Sequence, residues 1–184
     1  MRGHPEILDT KNPLYHRVCD IYIYELAKSR RWSELQEFLA QHKITNYRMK
    51  NFYFPLSTIM CFVNSPKSER LSHDCIENIL STARLLASTD MTIEQCIMLL
   101  DLNLVDMIRV RIPQSVGRID YLMAQVEAEL EIRIALEAEA IIQRLEEKGI
   151  ETAEYRRMLQ SMELKHGALQ LMRDLDRAYR TSGG

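Results

Sequence analysis

The sequence predicts an all-α fold, in which a solenoid-like array of short helices is followed by a long antiparallel helical hairpin. Apolar residues recur at spacings of three and four along most of the 184 residues, which is the spacing of one helix face. Only five prolines and six glycines are present, so long stretches run without a residue that breaks helices. The apolar fraction of 46% is enough to build a core, which argues against wholesale disorder.

The first elements are predicted to be two short helices. Residues 1–13 are interpreted as a polar lead-in that ends in a proline, directly after which a helix can begin. Residues 14–29 carry an apolar stripe at helical spacing. A second helix is predicted from a capping-box pattern, in which Ser33 is followed three residues later by Gln36. Because their connection is short, we expect the two helices to form an antiparallel pair.

The apolar face of this second helix is the first candidate for a partner-binding surface. Its members are Trp32, Leu35, Phe38 and Leu39. Large apolar side chains on one face of a helix can bury themselves against a helix of another protein.

Residues 43–64 are harder to interpret, because their dense aromatic and apolar side chains show no strand-like alternation. We predict a loop and then a helix from about Pro55, since proline is well placed in a first turn. A helix then begins around Ser72. A second capping box, Thr92 with Gln95, opens a helix that runs to a junction at 101–103. Together with a helix over 104–112, residues 14–112 are predicted to form about six short helices.

The last third of the sequence predicts two long helices. From 115 to 148 no proline occurs, and the apolar spacing of three and four resembles that of a coiled coil. Gly149 suits the left-handed stop of a helix, and a second long helix is predicted to follow, with Gly167 as its weak point. Residues 115–180 are therefore predicted to form a hairpin, which pairs with itself or with a second chain. Residues 181–184 are interpreted as a frayed tail.

The apolar seam of the first long helix is the second candidate surface. Val126, Leu130 and Ile134 lie at its centre, where packing against another helix would bury them.

The sequence contains none of the usual catalytic or nucleotide-binding motifs, and too few glycines for a phosphate-binding loop. The run His73-Asp74-Cys75 does not make a metal site, because adjacent residues on a helix point in different directions. A di-metal helical bundle requires histidines beside its glutamates. The glutamate-rich segment between Glu127 and Glu139 contains no histidine. We therefore expect no cofactor, no metal and no enzymatic activity.

The net charge and the cysteines indicate which partners and which cellular compartment to expect. The net charge of −2 gives no global field that would attract nucleic acid, although basic clusters lie at 28–31 and 109–118. Arginines at helix ends are expected to be ordinary surface charge, so nucleic-acid binding is not expected. The four cysteines lie in apolar helical contexts, which indicates reduced, buried thiols in a cytoplasmic protein. No apolar run reaches the length of a membrane span, and the N-terminus lacks a signal-peptide pattern.

One segment resembles a known family. Residues 31–44, Arg-Trp-Ser-Glu-Leu-Gln-Glu-Phe-Leu-Ala-Gln-His-Lys-Ile, are similar to repeat elements in the α-solenoids of vacuolar-sorting and endolysosomal tethering subunits. Among these, the C-terminal helical domain of the subunit that regulates the Mon–Ccz exchange factor has a comparable Leu-x-x-Phe-Leu-x-x-His segment. The resemblance covers about residues 20–110. It implies a scaffold role in endolysosomal vesicle trafficking, peripheral to membranes, and brings no catalytic residues.

Two functional hypotheses follow from the sequence. The first is a non-enzymatic adaptor or scaffold subunit, which binds other proteins through apolar helix faces. The alternative is a self-assembling structural protein of a virus, phage or bacterium, with the hairpin as its oligomer contact.

Overall fold

The computed structural model describes residues 14–66, 72–112, 117–162 and 167–183, with side chains from residue 120 in the third range. Over these ranges the chain forms α-helices joined by short connections, and none of the described residues forms a β-strand. The all-α prediction is confirmed. The polar lead-in predicted at 1–13 lies outside the described residues.

The helices divide between two compact units, Met1–Leu86 and Ala87–Gly184. Those of the first unit are α1 Tyr15–Lys28, α2 Trp32–Gln41, α3 Tyr47–Asn64 and α4 His73–Ala87, which ends at the division. Those of the second are α5 Ile93–Leu102, α6 Leu104–Arg111, α7 Gly117–Glu147, α8 Ala153–Gln160 and α9 Ala168–Thr181. The two helices α5 and α6 thus belong with the long helix α7, and the solenoid-like stacking of residues 14–112 stays a prediction.

The first unit is built around α2, which packs against α1 and α3. Helix α1 ends at Lys28, and the chain turns at Arg30, whose φ of +57° is left-handed. The amide of Arg31 donates to the carbonyl of Leu26, and the amide of Arg30 donates to that of Ala27, which together make a Schellman motif. This tight stop turns the chain directly into α2.

Two predictions about this unit are wrong, and they concern the start of α2 and the start of α3. Ser33 does not cap α2: the cap position is Arg31, and no side chain caps it. The Schellman turn has already placed residue 31 at the helix start, so Ser33 lies inside the helix.

Helix α3 begins at Tyr47, eight positions before the start predicted at Pro55, with the side chain of Asn46 accepting from the amide of Met49. Pro55 stands inside the helix, where it removes one backbone hydrogen bond. The burial of Phe52 and Tyr53 favours helix over this segment despite that loss.

The second unit is organised by α7, which packs against α5, α6, α8 and α9. Its buried face consists of Met123, Val126, Leu130, Ile134, Ala138, Ile141, Ile142 and Leu145. Helix α7 ends in a second Schellman motif, in which Gly149 has a φ of +74° and the amide of Ile150 donates to the carbonyl of Leu145. The predicted stop at Gly149 agrees with this geometry.

The second arm of the predicted hairpin is not one long helix. Helix α8 ends at Gln160, and α9 begins at Ala168 after Gly167, whose φ of +96° lies outside the helical region. Because Gly167 interrupts the arm, α9 packs against α5 and α8 as well as α7.

The junction between α5 and α6 agrees with the sequence. Both hydrogen bonds of the Thr92–Gln95 capping box are present, at 2.9 and 3.4 Å. Asn103 has a φ of +51°, a left-handed conformation that asparagine tolerates, and it ends α5 where the junction at 101–103 was predicted.

Candidate protein-interaction surface

The first candidate surface lies in the interior of the first unit. Trp32, Leu35, Phe38 and Leu39 are all buried. The ring of Phe38 stacks on that of His42 at 4.2 Å and meets the ring of Tyr22 edge-on at 4.9 Å. A partner could reach this face only by displacing the packing of the unit itself.

The second candidate surface is also buried. Val126, Leu130 and Ile134 are each no more than 3% exposed, on the face of α7 that packs against its own unit. These residues form the core of the second unit and are not presented to an external partner.

The opposite face of α7 is apolar and open. Tyr121, Ile132 and Leu136 are 63%, 54% and 57% exposed. Together with two exposed alanines they form the exposed stripe, which we define as Tyr121, Ala124, Ala128, Ile132 and Leu136. At about 100° and 1.5 Å per residue, the stripe spans about 22 Å and lies across the helix from the buried face. Helix α7 is therefore apolar on two opposite faces.

Sequence reasoning missed the exposed stripe because it assigned α7 a single seam. The signal was present in the spacing of Tyr121, Ala128, Ile132 and Leu136, a second set of apolar positions at helical intervals. Because the surrounding glutamates were interpreted as a solvated face, the apolar residues among them were not predicted to form a second face.

Two carboxylates border the exposed stripe. Glu129 and Glu131 lie about 80° to either side of its line, at about 100° per residue. Neither carboxylate is paired with a described residue, whereas Glu139, farther toward the C-terminus, accepts from Arg156 at 2.9 Å. The border of the stripe is therefore negative and unneutralised near its middle.

A groove of about 810 Å³ lies beside the stripe, between α5, α6, α7 and the start of α9. Its lining includes Leu99, Leu104, Val105, Leu130, Ile134 and Leu169. At the rim, Arg109 donates to Glu127 at 2.7 Å and to Asp106 at 3.2 Å, and these carboxylates raise the pKa of Arg109. Because Arg109 is already paired, its guanidinium holds the carboxylate of Glu127 in place at the rim.

Burial raises the pKa of two of the thiols, Cys19 and Cys96. The four cysteines are free; Cys19 and Cys96 are buried, while Cys61 and Cys75 are half-buried. Burial, with a smaller contribution from the charge of Glu137, raises the pKa of Cys96 to about 12, so its thiol stays protonated near neutral pH. The described residues contain no group of three or more His, Cys, Asp or Glu side chains that could hold a metal ion.

The basic clusters are partly committed to carboxylates. Arg31, at the cap position of α2, is paired with Glu34 on that helix, and Arg109 is paired with Glu127. The predicted contribution of Arg118 lies outside the described side chains. The interpretation of the clusters as ordinary surface charge stays a prediction.

Comparisons with protein-family models, with curated proteins and with solved structures gave no match to this chain. Among the described residues, none of the helices combines the length and the apolar character that crossing a membrane requires.

Proposed function

We propose that the chain is a non-enzymatic adaptor or scaffold subunit that binds another protein through the exposed stripe of α7. The observation that supports this proposal is the pair of opposite apolar faces on one helix. One face builds the core of the unit, and the other leaves Tyr121, Ile132 and Leu136 more than half exposed. Apolar surface of this kind marks interaction sites in many proteins.

The free energy that burial of the exposed stripe can contribute is appropriate for one part of an interface. Fully burying an aliphatic or aromatic side chain contributes about 1.5–3 kcal/mol, so completing the burial of Tyr121, Ile132 and Leu136 contributes roughly 3–5 kcal/mol. A micromolar complex needs about 8 kcal/mol net. A partner must therefore also contact the surface beside the stripe, where Glu129, Glu131 and the groove rim lie.

The proposal includes a setting in endolysosomal trafficking, which is supported by the resemblance of about residues 20–110 to tethering subunits. It assigns no catalytic residue. The second candidate function is self-assembly, in which a second copy of the chain covers the exposed stripe; the same two apolar faces of α7 favour it.

Site-specific photo-crosslinking in the native cell tests the proposal. A photoreactive residue at position 132 should give a discrete adduct with a different protein, while the same residue at the exposed Ser81 of α4 should not. An adduct with a second copy would support self-assembly instead. Equal adducts from both positions would contradict the assignment of the stripe.

A further inference from the structure

We infer that the occupant of the exposed stripe is an amphipathic helix of another protein whose apolar face is flanked by lysine or arginine. This inference rests on the proposed function and adds the chemistry of the partner. It is carried by the positions of Glu129 and Glu131, one on each side of the stripe and neither paired with a described residue.

The geometry matches helix-on-helix packing. The stripe is about 22 Å long, which corresponds to about four turns, and its large side chains sit at both ends with alanines between them. Small central residues let a partner helix approach closely, while Tyr121 at one end and Ile132 and Leu136 toward the other provide apolar anchors. In paired helices the residues that flank the apolar seam set partner choice through charge. Here both flanks are acidic near the middle, so a complementary helix carries basic residues beside its seam.

A second copy of the chain is the wrong occupant by charge. The midpoint between Tyr121 and Leu136 falls next to Glu129. Two copies paired about a two-fold axis, antiparallel or parallel, bring the same segment together at that level, so each Glu129 and Glu131 meets carboxylates of the other copy. Like charges at an interface that excludes water favour a different partner.

An anionic membrane surface is also disfavoured. Helices that lie on such membranes carry lysine or arginine beside the apolar face, which attracts the lipid headgroups. The border of the exposed stripe has the opposite sign, so the electrostatic contribution to lipid binding is repulsive.

Binding of two synthetic helical peptides to the full chain tests this inference. Both peptides carry the same leucine seam; one has lysine at the flanking positions and the other has glutamate. Fluorescence anisotropy should show that the lysine peptide binds at least about tenfold more tightly than the glutamate peptide, because close charge pairs favour one and oppose the other. The difference should shrink at high salt.

Three variants make the result specific. Ile132→Asp should abolish binding of the lysine peptide. The double variant Glu129→Gln with Glu131→Gln should weaken it about tenfold, while Glu25→Gln with Glu37→Gln, which removes the same charge from the first unit, should not.

Equal affinity for the two peptides, binding that survives Ile132→Asp, or failure of both peptides to bind would each overturn the inference. If crosslinking at position 132 still captures a different protein in those cases, the proposed function stands and only the chemistry of the partner is wrong. If the isolated chain forms dimers that Ile132→Asp dissociates, the occupant is a second copy and the inference is overturned.

Discussion

The two units build their hydrophobic cores from different kinds of side chain. The core of the first unit is aromatic: Tyr15, Trp32, Phe38, Phe52 and Tyr53 are buried in it. Among the described residues of the second unit no aromatic side chain is buried, and its core consists mainly of aliphatic residues and methionine on α5, α6, α7 and α9. Aromatic rings fill the space between the helices of the first unit, whereas the long α7 provides a regular row of aliphatic positions for the core of the second.

The two units also differ in the polar contacts that join their helices. In the first unit, α1 is joined to later residues by neutral or singly charged hydrogen bonds, such as Tyr15 with His42 at 3.3 Å and Asn46 with Asp20 at 2.9 Å. In the second unit, ion pairs connect separate helices: Arg173 donates to Asp101 at 2.7 Å and Arg180 to Glu94 at 3.1 Å. The second unit is therefore expected to respond more to salt and pH.

The largest expected effect is the loss of one core leucine in either unit. Leu35 and Leu175 are both fully buried. Truncation of either to alanine should cost about 2–5 kcal/mol of unfolding free energy, since it leaves a cavity. Hydrogen exchange should show Leu35→Ala weakening protection in α1 to α3, and Leu175→Ala weakening it in α5 to α9.

The exposed Glu37→Ala serves as the control for this pair and should change stability by less than about 0.5 kcal/mol. If either core variant lowers protection equally over both units, the units unfold together and the contrast between them has no thermodynamic meaning.

A smaller effect is expected at the two Schellman motifs, where the units use different residues in the same conformation. Arg30→Gly removes the cost of a side chain at φ +57° and should stabilise the chain by about 1 kcal/mol. Gly149→Ala should destabilise it by a similar amount, about 1 kcal/mol, through backbone strain alone, because nothing lies within 4 Å of the added methyl group. Chemical denaturation measures both; the same sign for the two variants would contradict the motif.

The smallest expected effect concerns an ion pair at the end of α7. Hydrogen bonds from Arg156, and then from Thr152, lower the pKa of Glu146 from 4.5 to about 2. A lowered pKa means that this contribution to stability is present above about pH 4.5 and is lost as the pH falls through 2. Carboxyl titration by NMR should find this low pKa in the native chain.

Arg156→Gln should return the pKa of Glu146 toward its ordinary value, while Arg157→Gln, the exposed neighbour, should leave it unchanged. A Glu146 pKa near 4.5 in the unaltered chain would mean that the ion pair is not formed in solution.

The elements that the sequence predicted well are those with local determinants. The Thr92–Gln95 capping box and the stop at Gly149 depend on a few adjacent residues whose side chains or backbone conformation end a helix regardless of the rest. The all-α class was predictable for the same reason, because helical apolar spacing persists along the chain.

The elements that the sequence did not predict depend on packing between distant residues. The start of α3 at Tyr47 is favoured by burial of Phe52 and Tyr53, which outweighs the presence of Pro55. The cap of α2 was misplaced because the stop of α1 determines where α2 begins.

The candidate site shows most clearly what apolar spacing in the sequence cannot predict. Apolar spacing indicates which residues share a helix face, but not whether that face meets its own chain or solvent. Trp32, Leu35, Phe38 and Leu39 have the pattern of a contact surface, and their contact is internal. The exposed stripe has a weaker pattern diluted by alanine, and only the packing around α7 reveals that it is open.

A matched pair of substitutions on α7 tests the central claim most directly. Ile132 and Ile134 differ by two positions on one helix, yet one is 54% exposed and the other 1%. The melting temperatures of Ile132→Asp and Ile134→Asp compare the two faces with identical chemistry. Ile134→Asp should cost several kcal/mol, because it buries an unpaired charge, while Ile132→Asp should change stability by less than about 0.5 kcal/mol. Equal destabilisation by the two variants would mean that the chain itself covers both faces, and the account of α7 as a helix with one free apolar face would be wrong.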